Sequence, residues 1–178
     1  MVKFRDRTVH SIITALQRAG YPFPRRFKSA IFKLWFLMDI PDTKRRQWTV
    51  LNRNLWTDLD LFMAIFFIIR IDMFMKIERG NRTGGQRKLI MAQPSLKFCL
   101  DVLTGDALQN DIELLAAFVR WRYKPREGEF LPEGAEVFGV PTEEIGSLQY
   151  EEYGEGRERM AKLRRPDELI IHRNAHSA

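Results

Sequence analysis

The sequence predicts an α+β domain in which N-terminal amphipathic helices accompany a small antiparallel sheet with one helix packed on it. Three observations carry that prediction. In the first third, apolar residues recur at helical spacing, as in Val9, Ile12, Ile13 and Leu16. From Ile69 to Ile77 the pattern becomes alternation: Ile69, Ile71, Met73, Met75 and Ile77 are apolar, with Arg70, Asp72, Lys76 and Glu78 between and after them. At period 2 those charges share one face of a half-exposed strand, expected over 68–78. A second alternation sets Val119, Trp121 and Tyr123 against Arg120, Arg122 and Lys124, giving a strand over 118–124 with one basic face.

Taken in order, Thr8 to Ala19 reads as a short amphipathic helix closed by Gly20. Pro22 and Pro24 make a turn, and Pro24 opens a second helix over 25–38 whose apolar stripe is Phe27, Ile31, Leu34, Trp35 and Met38. Asp39 and Pro41 end it, and Asp42 or Thr43 can cap a third helix carrying Lys44, Arg45, Arg46, Trp48, Val50 and Leu51. Leu61 to Ile69 is unbroken hydrophobic and fits either a buried strand or a buried helix. Thr57 and Asp60 at capping-box spacing favour a helical start. Beyond the expected strand, the Gly-rich stretch from Arg79 to Lys88 reads as the basic tip of a hairpin whose second strand is 88–93.

Ser95 then caps a helix ending near Thr104 at Gly105, with Cys99 on its apolar stripe. Residues 107–117 are compatible with helix. After Pro125 the chain is Gly-, Pro- and Glu-rich loop with room for one short strand. Residues 1–141 are therefore expected as a single α+β domain with a basic helical part at 1–56. A charged, mobile tail is expected at 142–178, with a modest helix near 155–165. Phe62, Phe66, Phe67, Ile69, Ile71 and Leu100 are expected at the centre of the core.

The 178 residues suffice for one domain, and 45% hydrophobic content marks a folded chain. A single cysteine excludes an internal disulfide and a cysteine-cluster metal site. The N-terminus lacks the apolar core of a signal peptide, and the run 61–69 is too short to span a bilayer. The expected location is therefore intracellular, cytoplasmic or nuclear, with no transmembrane segment.

The net charge of +6 is unevenly distributed. Residues 1–56 hold 12 Lys/Arg against 3 Asp/Glu, residues 57–141 hold 11 against 12, and residues 142–178 hold 6 against 8. A basic segment on a near-neutral body is the footprint of a protein that docks on an anionic surface.

No catalytic or cofactor motif appears. Gly80 to Gly85 has phosphate-loop glycine spacing, but Gln86 stands where Lys is needed. His10, His172 and His176 are scattered, and the carboxylate pairs Asp58/Asp60, Glu143/Glu144 and Glu151/Glu152 fit caps and solvated faces. The expectation is a non-enzymatic protein without cofactor or metal.

Three clusters interleave cations with aromatics: Arg25, Arg26 and Lys28 around Phe27; Lys44, Arg45 and Arg46 beside Trp48; and Arg120 and Arg122 around Trp121. Arg82, Arg87 and Lys88 on the hairpin tip add candidate phosphate contacts. Such pairing suits nucleic acid or a ribonucleoprotein first, and a peripheral anionic membrane second. The composition has an analogue in viral matrix and accessory proteins, which also self-associate. An adaptor that seats Trp35 in a partner groove is the other class, and Tyr150 to Tyr153 in the acidic tail is a segment that a partner could read.

Overall fold

The computed structural model describes residues 1–80, 85–124, 126–154 and 161–177, and the side chains of these up to residue 175. The chain is mostly helical with one small antiparallel sheet, an α+β arrangement. Helix α1 (Val2–Arg18) buries Thr8, Val9, Ile12, Ile13 and Leu16 on one face. It closes as the sequence predicts: Gly20 takes φ +87°, its N–H donates to the Gln17 carbonyl, and the Tyr21 N–H reaches back to Leu16. A 3-10 turn over Arg25–Phe27 leads into α2 (Lys28–Asp39), and Asp42 caps α3 (Thr43–Leu51) by accepting from the Arg45 N–H at 2.7 Å.

The central run is one helix, α4 (Asp58–Ile77). The expected strand over 68–78 is absent because the start signal at Thr57 propagates through the whole apolar stretch. The Thr57 hydroxyl accepts from the Asp60 N–H while the Asp60 carboxylate accepts from the Thr57 N–H, satisfying two orphan donors of the first turn. Alternation misled because the segment is apolar on nearly every side. At helical pitch Arg70 lies on one edge of the flank that buries Leu61, Ala64, Phe67, Ile68, Ile71 and Met75, and Asp72 and Lys76 lie on the other edge, so the charges border the core face without entering it. Phe67 and Ile71 are at the core centre, as expected. Phe66 and Leu100 are only half-buried, and Phe62 and Ile69 are exposed.

The other two expected strands are also helical. Residues 88–93 fall largely in α5 (Gly85–Met91), and 118–122 of the expected 118–124 form the end of α7 (Asp111–Arg122), which Asn110 caps by accepting from the Glu113 N–H. The period-2 burial of Val119 and Trp121 arises because the last turn of α7 is clamped on two sides. The Val119 carbonyl accepts from Gly146, while Trp121 packs with Leu89, Ala92 and Ala117 in a small second core. Between α5 and α7, α6 (Lys97–Thr104) lies against α1 and buries Cys99 and Val102.

The sheet lies instead in the loop-rich part. β1 (Glu136–Val137) pairs antiparallel with β2 (Val140–Pro141) across a tight turn with positive φ at both Phe138 and Gly139. Residues expected as a mobile tail fold back onto the helices. Helix α8 (Pro166–Ser177) contacts α3 and α4 and sends Leu169 and Ile170 into the main core. Arg173 of α8 is buried and donates to the carbonyls of Val50 and Trp56. Tyr153 is tied down as well, its hydroxyl donating to the Met38 carbonyl at 2.7 Å. Among the described residues, no helix is long and apolar enough to cross a membrane.

Candidate anion-binding site

Sequence-distant cations meet where α7 ends. The chain from Ala161 to Arg165 runs between two supports. On one side, Glu151 N–H donates to Ala161 and Leu163 N–H to Gln149, with an isolated bridge between Tyr150 and Lys162. On the other, the Thr43 hydroxyl donates to the Lys162 carbonyl at 3.0 Å and accepts from the Arg164 N–H at 3.1 Å. Thr43 is in turn held by its own N–H, which donates to the Glu151 carboxylate at 2.9 Å.

This arrangement closes a cleft of about 470 Å³ lined by Trp121, Arg122, Lys124, Lys162, Arg164 and Arg165, with Glu168 at its edge. Trp121 is the floor. Arg122 stacks on its ring at 4.2 Å and Arg165 approaches at 5.4 Å, which orients both guanidinium planes. Arg165 is buried and neutralised locally by Asp167 at 3.0 Å and Glu168 at 3.3 Å. Arg122, Lys124, Lys162 and Arg164 have no carboxylate partner among the described residues. Four cations thus line a cleft in which Glu168, the carboxylate at the edge among the described residues, is already engaged by Arg165, an arrangement complementary to an anion.

Arg164 also lines a second, smaller cleft with Gln47, Val50 and Leu51 of α3, and Lys44 and Arg45 are exposed on another side of the same helix. Trp48 follows Lys44 and Arg45 at helical spacing and is 64% exposed, a large aromatic beside two cations.

The remaining predicted residues divide. Arg25 and Arg26 are exposed, but on the turn before α2, where Arg25 lines a separate cleft with Phe23, Phe66 and Arg70. Lys28 pairs with Asp6 at 2.6 Å, Arg120 with Glu144 at 2.9 Å, and Arg87 with Asp72 at 2.9 Å. Lys88 is exposed on α5, and Arg82 lies outside the described residues.

Two predicted site residues are corrected outright. Arg46 is buried, and its guanidinium donates to the carbonyls of Met38, Ile40 and Arg164, so it serves the backbone and cannot reach a ligand. Burial pushes its pKa below the ordinary arginine value, against the opposing influence of Tyr153. Trp35 is 2% exposed, covered by Phe4 edge-on at 6.2 Å and by Arg5 at 5.0 Å, and offers no surface to a partner groove.

Sequence reasoning missed Lys162, Arg164 and Arg165. The signal was the run Lys162-Leu-Arg-Arg165, hidden in a segment whose overall charge is negative. The carboxylate pairs serve structure: Asp60 caps α4 and pairs with Lys33, Glu144 pairs with Arg120, and Glu151 holds Thr43. Cys99 is fully buried, and burial alone pushes its thiol up to about 12. Compared with protein-family models, with curated proteins and with solved structures, the chain matches none.

Proposed function

We propose that this protein is a non-catalytic nucleic-acid-binding protein that grips a phosphate backbone along the row Lys124, Arg122, Lys162 and Arg164, with Lys44 and Arg45 of α3 as outlying contacts. The observation that supports this most is the cleft at the end of α7, where four cations have no carboxylate partner among the described residues and Trp121 orients one of them. A row running from one helix to another suits successive phosphates better than a single small anion. Trp48, exposed beside Lys44 and Arg45, supplies a ring on which an unpaired base can stack, so a single strand is the preferred form.

The test is a salt titration of binding to a short labelled single-stranded RNA. Engagement of the four cleft cations gives a log–log slope of about −3. Lys162→Glu with Arg164→Glu should weaken binding and flatten the slope by about half, whereas Arg25→Glu with Arg26→Glu, off the row, should leave the slope unchanged. Anionic vesicles run in parallel distinguish a lipid surface from RNA. RNA binding that is absent, or indifferent to the cleft reversal, defeats the proposal.

A further inference from the structure

Helix α4 buries one side in the core and leaves the other apolar. Along its outer flank run Leu59, Phe62, Phe66, Ile69, Met73 and Ile77, spaced three and four residues apart for almost the whole helix. Leu59 is 62% exposed, Phe62 59%, Ile69 48% and Ile77 66%. Scattered exposed apolar residues are ordinary, but a continuous stripe about 27 Å long at alternating three and four spacing is the seam of a paired helix.

The charges bordering the stripe choose the occupant. Asp58 and Lys76 are about five turns apart, and therefore project from the same side of the helix, one at each end of the stripe. Both are exposed, Asp58 with only a 3.7 Å contact to Arg173. When two copies of α4 lie antiparallel about a two-fold axis near Phe67 and Ile68, Phe62 of one faces Met73 of the other, and Phe66 faces Ile69. The same register sets Asp58 beside Lys76 of the second copy, twice. A parallel pair would instead put the two copies of this flank on opposite sides of the seam and leave both charges without a partner. The flanks of a membrane-lying helix carry mainly Lys and Arg. Here the charges beside the stripe are Asp58, Arg70 and Lys76, a mixed set that suits self-pairing, while Asp72 is taken by Arg87 at 2.9 Å. Arg70 lies along the stripe with its guanidinium 4.6 Å from the Phe66 ring, leaving the seam free of a projecting charge on that edge.

We infer that the exposed face of α4 is the interface of an antiparallel homodimer, formed independently of any anionic ligand. Sedimentation velocity across the micromolar range should show a concentration-dependent dimer for the full chain. Phe62→Ser with Ile69→Gln, both at exposed positions, should shift it to monomer without loss of helical circular dichroism.

Charge reversal tests the register. Asp58→Lys alone and Lys76→Asp alone should each weaken self-association about tenfold, because each places like charges at both ends. An equimolar mixture of the two variants restores both attractive pairs in a heterodimer and should associate more tightly than either variant alone. Three results overturn the inference: a wild-type chain that stays monomeric, a dimer indifferent to the Phe62 and Ile69 changes, or a mixture no tighter than its components. Capture of a monomeric wild type on vesicles through Phe62 and Ile69 would assign the face to lipid instead.

Discussion

The Arg46 guanidinium donates to the main-chain carbonyl of Arg164 at 2.8 Å, joining a cation of α3 to the segment that carries the anion cleft. The same side chain takes the carbonyls of Met38 and Ile40 at the end of α2, where helix geometry leaves them without partners. It holds the two supports of the site in register, although it touches no ligand.

Replacing Arg46 by Met should therefore act on stability. The carbonyls of Ile40 and Arg164 lose the guanidinium donor, that of Met38 keeps the Tyr153 hydroxyl, and the expected cost is about 2 to 3 kcal/mol in urea denaturation. Arg45→Glu, one residue away and exposed, should leave the denaturation midpoint nearly unchanged while weakening RNA binding. Equal losses of stability from the two changes would contradict the burial of Arg46.

Thr43→Val isolates the positioning of the cleft. The hydroxyl that both donates to Lys162 and accepts from Arg164 disappears, and no cation is removed. RNA affinity should fall several-fold with the salt slope preserved, since the count of phosphate contacts is the same. A flattened slope would mean that a contact had been lost outright.

Asp60 gives the protein an acid limb. Burial works to raise its carboxyl, but hydrogen bonds from Lys33, from the Thr57 backbone and from the Thr57 hydroxyl, together with the Lys33 charge, outweigh burial and hold it below its ordinary value of 3.8. With the folded value depressed, the ionised carboxylate contributes its full stability above about pH 4 to 5, and the contribution disappears as pH falls through the folded value. Asp60→Asn should cost about 1 to 2 kcal/mol at neutral pH and show a smaller further loss between pH 5 and 3. The readout is the unfolding midpoint across that range; parallel curves for variant and wild type would sink this assignment.

Gly146 crosses the end of α7 at φ +64°, and its N–H donates to the Val119 carbonyl at 2.8 Å. A Cβ there would lie 2.6 Å from the Tyr123 carbonyl oxygen, a backbone atom that cannot swing away. Gly146→Ala should destabilise by about 1 to 3 kcal/mol through the strained φ and this clash. Because the segment clamps the end of α7, it should also weaken anion binding through Arg122 and Lys124. A thermal midpoint matching wild type would show that the crossing relaxes.

Part of this molecule is written in short-range relations. The buried face of α1, the Gly20 closure, the Asp42 cap, the Thr57/Asp60 capping box and the burial of Cys99 all depend on residues one to four positions apart, and each is legible in the chain. The apolar weight of 61–69 follows in the same way, whereas the α+β class holds through the pairing of β1 with β2, away from the alternations that predict it. Alternation over 69–78 and 119–124 was a weaker guide. In α4 nearly every side is apolar, so period 2 cannot be told from period 3.6. In α7 two different neighbours bury opposite sides of one turn.

The tertiary structure decided the rest, because the deciding contacts are long-range. Arg45 and Arg46 are adjacent and chemically alike, yet one is in water and the other spans three carbonyls, two at the end of α2 and one brought by the return of Arg164 to α3. The acidic balance of 142–178 concealed Lys162 and Arg164, whose charges matter because Thr43 and Gln149 bring them beside Arg122. Local sequence determined where α1, α3 and α4 are capped or closed, since capping energies are local. Which cations remain free for a ligand depended on where distant carbonyls and carboxylates come to rest.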